Sequence, residues 1–529
     1  MGTYAQDSWK VAPSLTLNYG VRWEPFIPQQ FDRLRQANTF DFDAYRQGIK
    51  TSQYVNAPPG IFYPGDPQFG DNGTSPINKR WNQIAPRVGL VWHPKKDGKM
   101  VIRAGYGIFY DMQSAELNLA TPQGPRWGGK VQLTNPQGGL DDPYKFESGG
   151  NPFPFVVSRN SPYPAAGVFT TFDHNTHPPY VQQWNLGIQR QVGQDWLVSA
   201  SYIGNEIVHL YGSTELNPAI YFPGSANASG QCFAEGYVLN TTPGAVCSST
   251  ANTNSRRVAT LINPVEGPKF ANVGKWDDGG TRSYNALLLS TQKRLSRGFS
   301  MTGNYTWSHC IRTAIGSGTL LQSSAGNGVY LTPTRTGDRG NCTAPAADIR
   351  HIVNATGIVN VPKFSNPWMN AVASNWRVSG ILNVSSGSAF TVVSGTDRAL
   401  NGKNAPTQYA NQVAEKVYGN QCENDLRQAS GPKCLWLNTA AFLPADTGTF
   451  GNLRPGTVFG PGNWTLNAGL SRIFKITEGQ TMEFRAEGTN VLNHTNFMNP
   501  SGTYTSSTFG RIQSARDGRV MQFGLKYLF

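Results

Sequence analysis

Two histidines, His174 and His177, form the closest approach to a metal motif in this chain. Imidazole nitrogens bind zinc, but a stable site needs a fixed scaffold and further ligands. This H-x-x-H lies in a Pro-rich stretch, so two solvated loop histidines are expected. Asp277-Asp278-Gly279-Gly280 faintly resembles a calcium loop but lacks its 12-residue ligand spacing, and a polar turn is expected there. Six cysteines are present with no C-x-x-C among them, which leaves zinc poorly supported. Glu483, Arg485 and Glu487 share one face of an alternating run. Paired carboxylates can serve acid–base chemistry, whereas a charge ladder along a strand needs only the alternation. Neither G-x-S-x-G nor G-x-x-x-x-G-K-[ST] occurs. The chain is therefore read as no enzyme, with no catalytic residue, cofactor or metal.

The elements that hold these residues are strands. Charged residues are only 15% of the 529, aromatics reach 12%, and glycines number 58. Soluble domains carry roughly 25% charge. The mean hydropathy of −0.40 looks soluble, but membrane barrels escape hydropathy because each strand is only half apolar. No run of 18 apolar residues appears, so no spanning helix is expected. The net charge is +13, yet Lys and Arg are scattered with no compact basic run, which argues against nucleic acid.

Period-two alternation marks strands with one apolar and one polar face. The last ten residues show it clearly, with Met521, Phe523, Leu525, Tyr527 and Phe529 on one side and Gln522, Gly524 and Lys526 on the other. Leu15, Leu17, Tyr19, Val21 and Trp23 alternate with polar partners in the same way. The reading predicts 13 strands: 4–10, 14–24, 84–93, 99–111, 180–192, 196–210, 283–295, 299–310, 349–361, 375–393, 464–476, 481–494 and 520–529. Their connections alternate short and long. Soluble sandwiches space their turns more evenly, whereas outer-membrane barrels alternate short periplasmic turns with long extracellular loops. An all-β, antiparallel transmembrane barrel is expected. Because single-chain bacterial barrels are even-stranded, and because no signal peptide opens the chain, it is expected to be part of a longer protein.

The cysteines fall as neighbours in sequence: Cys232 with Cys247, Cys310 with Cys342, and Cys422 with Cys434. An even count in an exported protein suggests disulfides that staple outer loops; free thiols or another pairing remain the alternatives. Trp9, Trp23, Trp92, Trp196, Trp307, Trp376 and Trp464 sit near strand ends. They are expected to form interface belts, with sugar-stacking platforms or ordinary core aromatics as the alternative.

Several stretches resemble a known family. T-Y-A-Q-D-S-W-K-V-A-P-S-L-T-L-N-Y-G-V-R-W-E at 3–24 resembles a segment of TonB-dependent outer-membrane receptors, as does G-T-N-V-L-N-H-T-N-F at 488–497. Asp348-Ile349-Arg350-His351 and the region 509–529 resemble the large Oar-like branch of that family. The resemblance implies a barrel of 22 strands with an N-terminal plug, of which this chain supplies the C-terminal 13, so that the plug and about nine strands lie outside it. It implies outer-membrane lipid, the plug and N-terminal strands, the TonB–ExbB–ExbD system, and the barrel assembly machinery at the last strand as partners. The transported ligand is unread; oligosaccharide, peptide and siderophore all fit. A passive porin, a surface adhesin barrel or a secreted glycan-binding β-protein are the alternatives.

Overall fold

A computed structural model describes residues 2–30, 37–70, 73–95, 97–111, 137–146, 150–151, 153, 158–163, 165–313, 337–343, 348–402, 408–419 and 435–529. Cys422 and Cys434 lie outside the described residues.

The chain builds one large sheet. Its strands are β1 Thr3–Ala12, β2 Leu15–Trp23, β3 Ile84–Trp92, β4 Met100–Tyr110, β5 Tyr180–Val192, β6 Trp196–Glu215, β7 Phe270–Ser296, β8 Phe299–Arg312, β9 His351–Asn360, β10 Trp376–Ser385, β11 Asn463–Lys475, β12 Thr481–Thr489 and β13 Val520–Leu528. Each pairs antiparallel with the next in sequence, and β1 and β13 do not pair with each other. This up-and-down order is the one the alternation predicts.

Register explains why the alternation is so regular. Directly opposed residues share a face. One such row runs Trp92, Ile102, Ile188, Ala200, Leu289, Tyr305, Val353, Val384 and Trp464 across β3 to β11. A second runs Leu470, Ala486 and Phe523. These rows are apolar, and many members are solvent-exposed, including Leu289 at 41% and Phe523 at 69%. A slip of one residue would turn each row to the polar face, so the pattern pins the register.

The tight turns need left-handed backbone. Gly193 (φ 61°), Gly298 (φ 77°) and Arg297 (φ 52°) supply it between β5 and β6 and between β7 and β8.

The structure departs from expectation at the ends joined by long connections. β6 and β7 run 20 and 27 residues, well beyond 196–210 and 283–295. Conversely, β10 and β12 stop at Ser385 and Thr489, short of 393 and 494. The rim extension of β7 has no one-sided alternation to read, because it is buried on both faces: Phe270 and Val273, an odd number of residues apart, are both fully buried. β6 pairs with one of its edges, and the short strand Gly167–Phe172 pairs parallel to the other.

The long connections are also not bare loops. Tyr45, Tyr54, Ile61 and Tyr63 pack with Phe169, Phe270 and Val273 into one core. Val392, Tyr409, Leu437, Phe442, Leu453, Val458 and Phe509 form another from two different connections. Burying each such side chain contributes roughly 1.5–3 kcal/mol.

Candidate functional site

The rim around β5, β6 and β7 holds the groups with unusual chemistry. Three local features bring them together. The β5–β6 ladder ends at the pair Tyr180–Val208. The next residue of β6, His209, has φ 60°, a left-handed conformation uncommon outside glycine. The β6–β7 register then shifts twice between Asp277 and Thr281. Asp277–Gly280 is thus an irregularity inside a strand, where a turn was expected.

These breaks turn three side chains toward one point. His177 Nδ1 lies 2.6 Å from Asp278 Oδ2, and the His177 backbone N–H donates to the same oxygen at 2.7 Å. His209 Nδ1 lies 3.4 Å from Asp278 Oδ2. The two imidazoles stack at 4.5 Å between centroids. One ligand atom from each residue falls within 4.8 Å of the others. The side chains keep exposures of 42%, 30% and 24% for His177, His209 and Asp278, so the cluster is half-buried and reachable by solvent.

The electrostatics follow from that burial. Burial pushes the His209 imidazole below its ordinary value, only partly offset by the Asp278 charge. Burial alone would raise the Asp278 carboxyl, but the hydrogen bonds from His177 outweigh it and hold it below the usual range. Both groups sit on the rim extensions, past the length that β6 shares with β5.

The expected pair of solvated histidines is corrected on both members. His174 Nδ1 faces Pro76 O at 2.8 Å and its Nε2 faces Gln68 O at 3.1 Å. It is a tie between connections and takes no part in the cluster. His209 carried no motif in the sequence; its one signal is a polar residue directly after Ile207 and Val208 where the strand would otherwise continue.

Elsewhere on the rim, polar groups tie the connections together. Arg256 is fully buried and donates to Asn252 Oδ1, Ile220 O and Ser249 O at 2.8, 2.6 and 2.9 Å. Glu266 pairs with Lys50 at 2.6 Å and Lys269 at 2.8 Å. Burial pushes its carboxyl up, yet the bonds from Lys269 and Lys50 prevail and hold it below its ordinary value.

The remaining sequence candidates are placed as follows. Cys232 is joined to Cys247, between the hairpin strands Gln231–Ala234 and Tyr237–Asn240 and the following loop, and Cys310 is joined to Cys342 at the rim end of β8. The Cys310 N–H donates to Asp348 Oδ1, and Tyr305 Oη meets His351 Nδ1 at 2.8 Å, so Asp348 and His351 fasten the start of β9. In the 488–497 stretch, Asn490 Oδ1 accepts from His494 N, Asn496 Oδ1 accepts from Trp464 N, and the His494 ring stacks on Trp464 at 4.3 Å. Arg485 Nε lies 2.8 Å from Glu483 Oε1, and Lys526 sits directly opposite Glu483. Trp9, Trp92, Trp196 and Trp376 lie at the short-turn ends, while Trp23, Trp307 and Trp464 lie at or toward the rim ends. Met521, Phe523, Leu525, Tyr527 and Phe529 are all exposed.

The sequence profile of the family described as outer membrane beta barrel domain matches residues 1–522. No curated protein matches the chain. Solved structures with similarity include the outer membrane transporter YddB from Escherichia coli, at 9% identity and TM-score 0.44, covering 100% of this chain and 45% of that one. The FrpB iron transporter from Neisseria meningitidis follows at 9% and 0.39, covering 99% and 45%. The ferric-catecholate import receptor Fiu from K12 E. coli stands at 10% and 0.37, covering 100% and 44%. The chain spans less than half the length of each.

Proposed function

Since this chain belongs to the outer membrane beta barrel domain family and resides in the outer membrane, we propose that it forms part of the wall of a TonB-dependent receptor that takes up a nutrient ligand. The observation that carries this reading is the packed rim. The long connections fold into units with their own aromatic cores, a built surface of the kind that captures a ligand before uptake. An open diffusion pore needs no such platform. The apolar rows on one face meet lipid, and the polar face with Glu483, Arg485 and Lys526 lines the interior.

The two sheet edges, β1 and β13, support a larger wall. An unpaired edge inside lipid leaves backbone donors and acceptors unsatisfied at several kcal/mol each. Further strands at both edges, and a plug against the polar face, remove that cost. Energy would reach this wall through TonB–ExbB–ExbD acting on the plug. The ligand stays within the classes oligosaccharide, peptide and siderophore.

The test is uptake by cells of the source organism with and without this gene. Labelled maltodextrins, an oligopeptide mixture and a ferric catecholate serve as probes, each with and without a protonophore. A TonB-dependent receptor gives gene-dependent uptake of one probe that collapses with the protonophore. Gene-dependent uptake that persists without the proton gradient supports a passive porin and overturns the proposal.

A further inference from the structure

We propose that His177, His209 and Asp278 bind one divalent transition-metal ion of the zinc class at the rim, a site independent of the uptake reading above. The ligand set is two imidazoles and one carboxylate. That combination suits zinc and its borderline neighbours, and leaves a position open for water or a further ligand. Hard cations such as calcium need more oxygens than this point offers.

The spacing of the ligand atoms is close to what a metal requires, and the two imidazoles, stacked 15° apart, must rotate out of their stack for both ring lone pairs to meet one ion. Ligand atoms about 2.0–2.1 Å from a tetrahedral centre lie about 3.3 Å from one another. His209 Nδ1 to Asp278 Oδ2 is already 3.4 Å. His177 Nδ1 is nearer, at 2.6 Å, held there by its hydrogen bond. The His177 nitrogen must move back by under about 1 Å once that proton is displaced, its ring turning out of the stack, and His209 Nδ1 must leave the Asp278 carbonyl that it faces at 3.3 Å. His177 comes from the connection into β5, His209 from β6 and Asp278 from β7, so one ion would tie three segments.

Three further observations favour a site over a chance ion pair. The backbone at His209 is held in the left-handed region, and such outliers persist only where the surroundings enforce them. Two ladder irregularities converge on the same residues. Beside them the Tyr211 hydroxyl is buried with no hydrogen-bond partner among the described residues. Among the described residues, the Arg80 cation acts on His209 and Tyr211, and the Asp111 and Asp278 charges oppose it at Tyr211.

The experiment is zinc binding to the purified full chain in detergent, measured by competition with a chromophoric chelator, with Co2+ absorption reporting coordination. Variants are H209N, which keeps a residue tolerant of the left-handed backbone, H177Q and D278N. H174A is the control. Resistance to proteolysis shows that each variant is folded. The expected result is one zinc per chain and a tetrahedral Co2+ spectrum in wild type and H174A. Each of the three site variants should weaken binding by about tenfold or more. Wild-type protein that holds no zinc above buffer, or binding that survives H209N and D278N, overturns the proposal. Equal loss in H174A does so too, because it places the ion elsewhere.

Discussion

His177 Nδ1 lies 2.6 Å from Asp278 Oδ2 although 101 residues separate the two. The contact closes the entry to β5 onto the rim extension of β7. Asp278 also accepts the His177 backbone N–H at 2.7 Å, so one carboxylate fixes both the chain and the ring. In metal-free buffer, D278A should free that amide. Losing a hydrogen bond to a charged acceptor costs about 1–3 kcal/mol. Hydrogen-exchange protection of the His177 amide should fall by roughly tenfold or more, with amides of β9 unchanged.

Glu266 makes a rim contact that depends on pH. Its ordinary value is 4.5, and Lys269 and Lys50 hold it lower in the folded protein. A carboxylate depressed on folding contributes stability above its unfolded value and loses it as pH falls through the folded one. The difference in Tm between wild type and E266Q should therefore be full at about pH 6.5 and shrink as the pH falls below the ordinary carboxyl value and through the lower folded one. A constant difference across that range would show that the pair contributes nothing.

Arg256 is a buried cation satisfied by two carbonyls and one amide oxygen. R256M removes the donor to Ile220 O and Ser249 O, while Asn252 Oδ1 keeps the Ser249 N–H, inside the unit that the β6–β7 connection, 216–269, folds around Ile220, Phe222, Cys232, Leu239 and Cys247. The cost is about 2–4 kcal/mol, read as proteolysis within that unit at temperatures where the wild type resists. R256K keeps the charge but not the planar fork and should fall between the two.

Leu289 and Thr302 separate the two faces of the wall. Leu289 lies in the apolar row opposite Ala200 and Tyr305, whereas Thr302 lies opposite Gln292 and Thr356 on the polar face. L289R in lipid should cost about 2–4 kcal/mol and T302R under about 1 kcal/mol. Urea unfolding in liposomes distinguishes them. Equal costs would mean that Leu289 does not face lipid.

Cys232 and Cys247, 15 residues apart, and Cys310 and Cys342, 32 apart, are bonded in the structure. Alkylation of the unfolded, unreduced chain should add nothing at these four residues, and reduction should expose all of them. Replacing Cys232 and Cys247 together by Ala should remove about 3 kcal/mol from the 216–269 unit.

What the sequence determined by itself is the wall. Alternation over a strand is local information: Leu15 to Trp23 carries its own two faces, and lipid on one side makes the contrast strong. Each tight turn follows from the two strands that it joins. The strand bounds fail at the rim ends: β6 and β7 run on to Glu215 and back to Phe270, where burial on both faces replaces the one-sided pattern, and β10 and β12 stop at Ser385 and Thr489, short of the expected 393 and 494. Tertiary structure alone decided the rim. Tyr45 meets Phe270, and His177 meets His209 and Asp278, across long stretches of intervening chain. In the sequence H-x-x-H and D-D-G-G are two weak signals far apart, and His209 belongs to no motif. A site gathered from three segments has no spacing to read, because spacing records neighbours along the chain and a ligand set is made of neighbours in space.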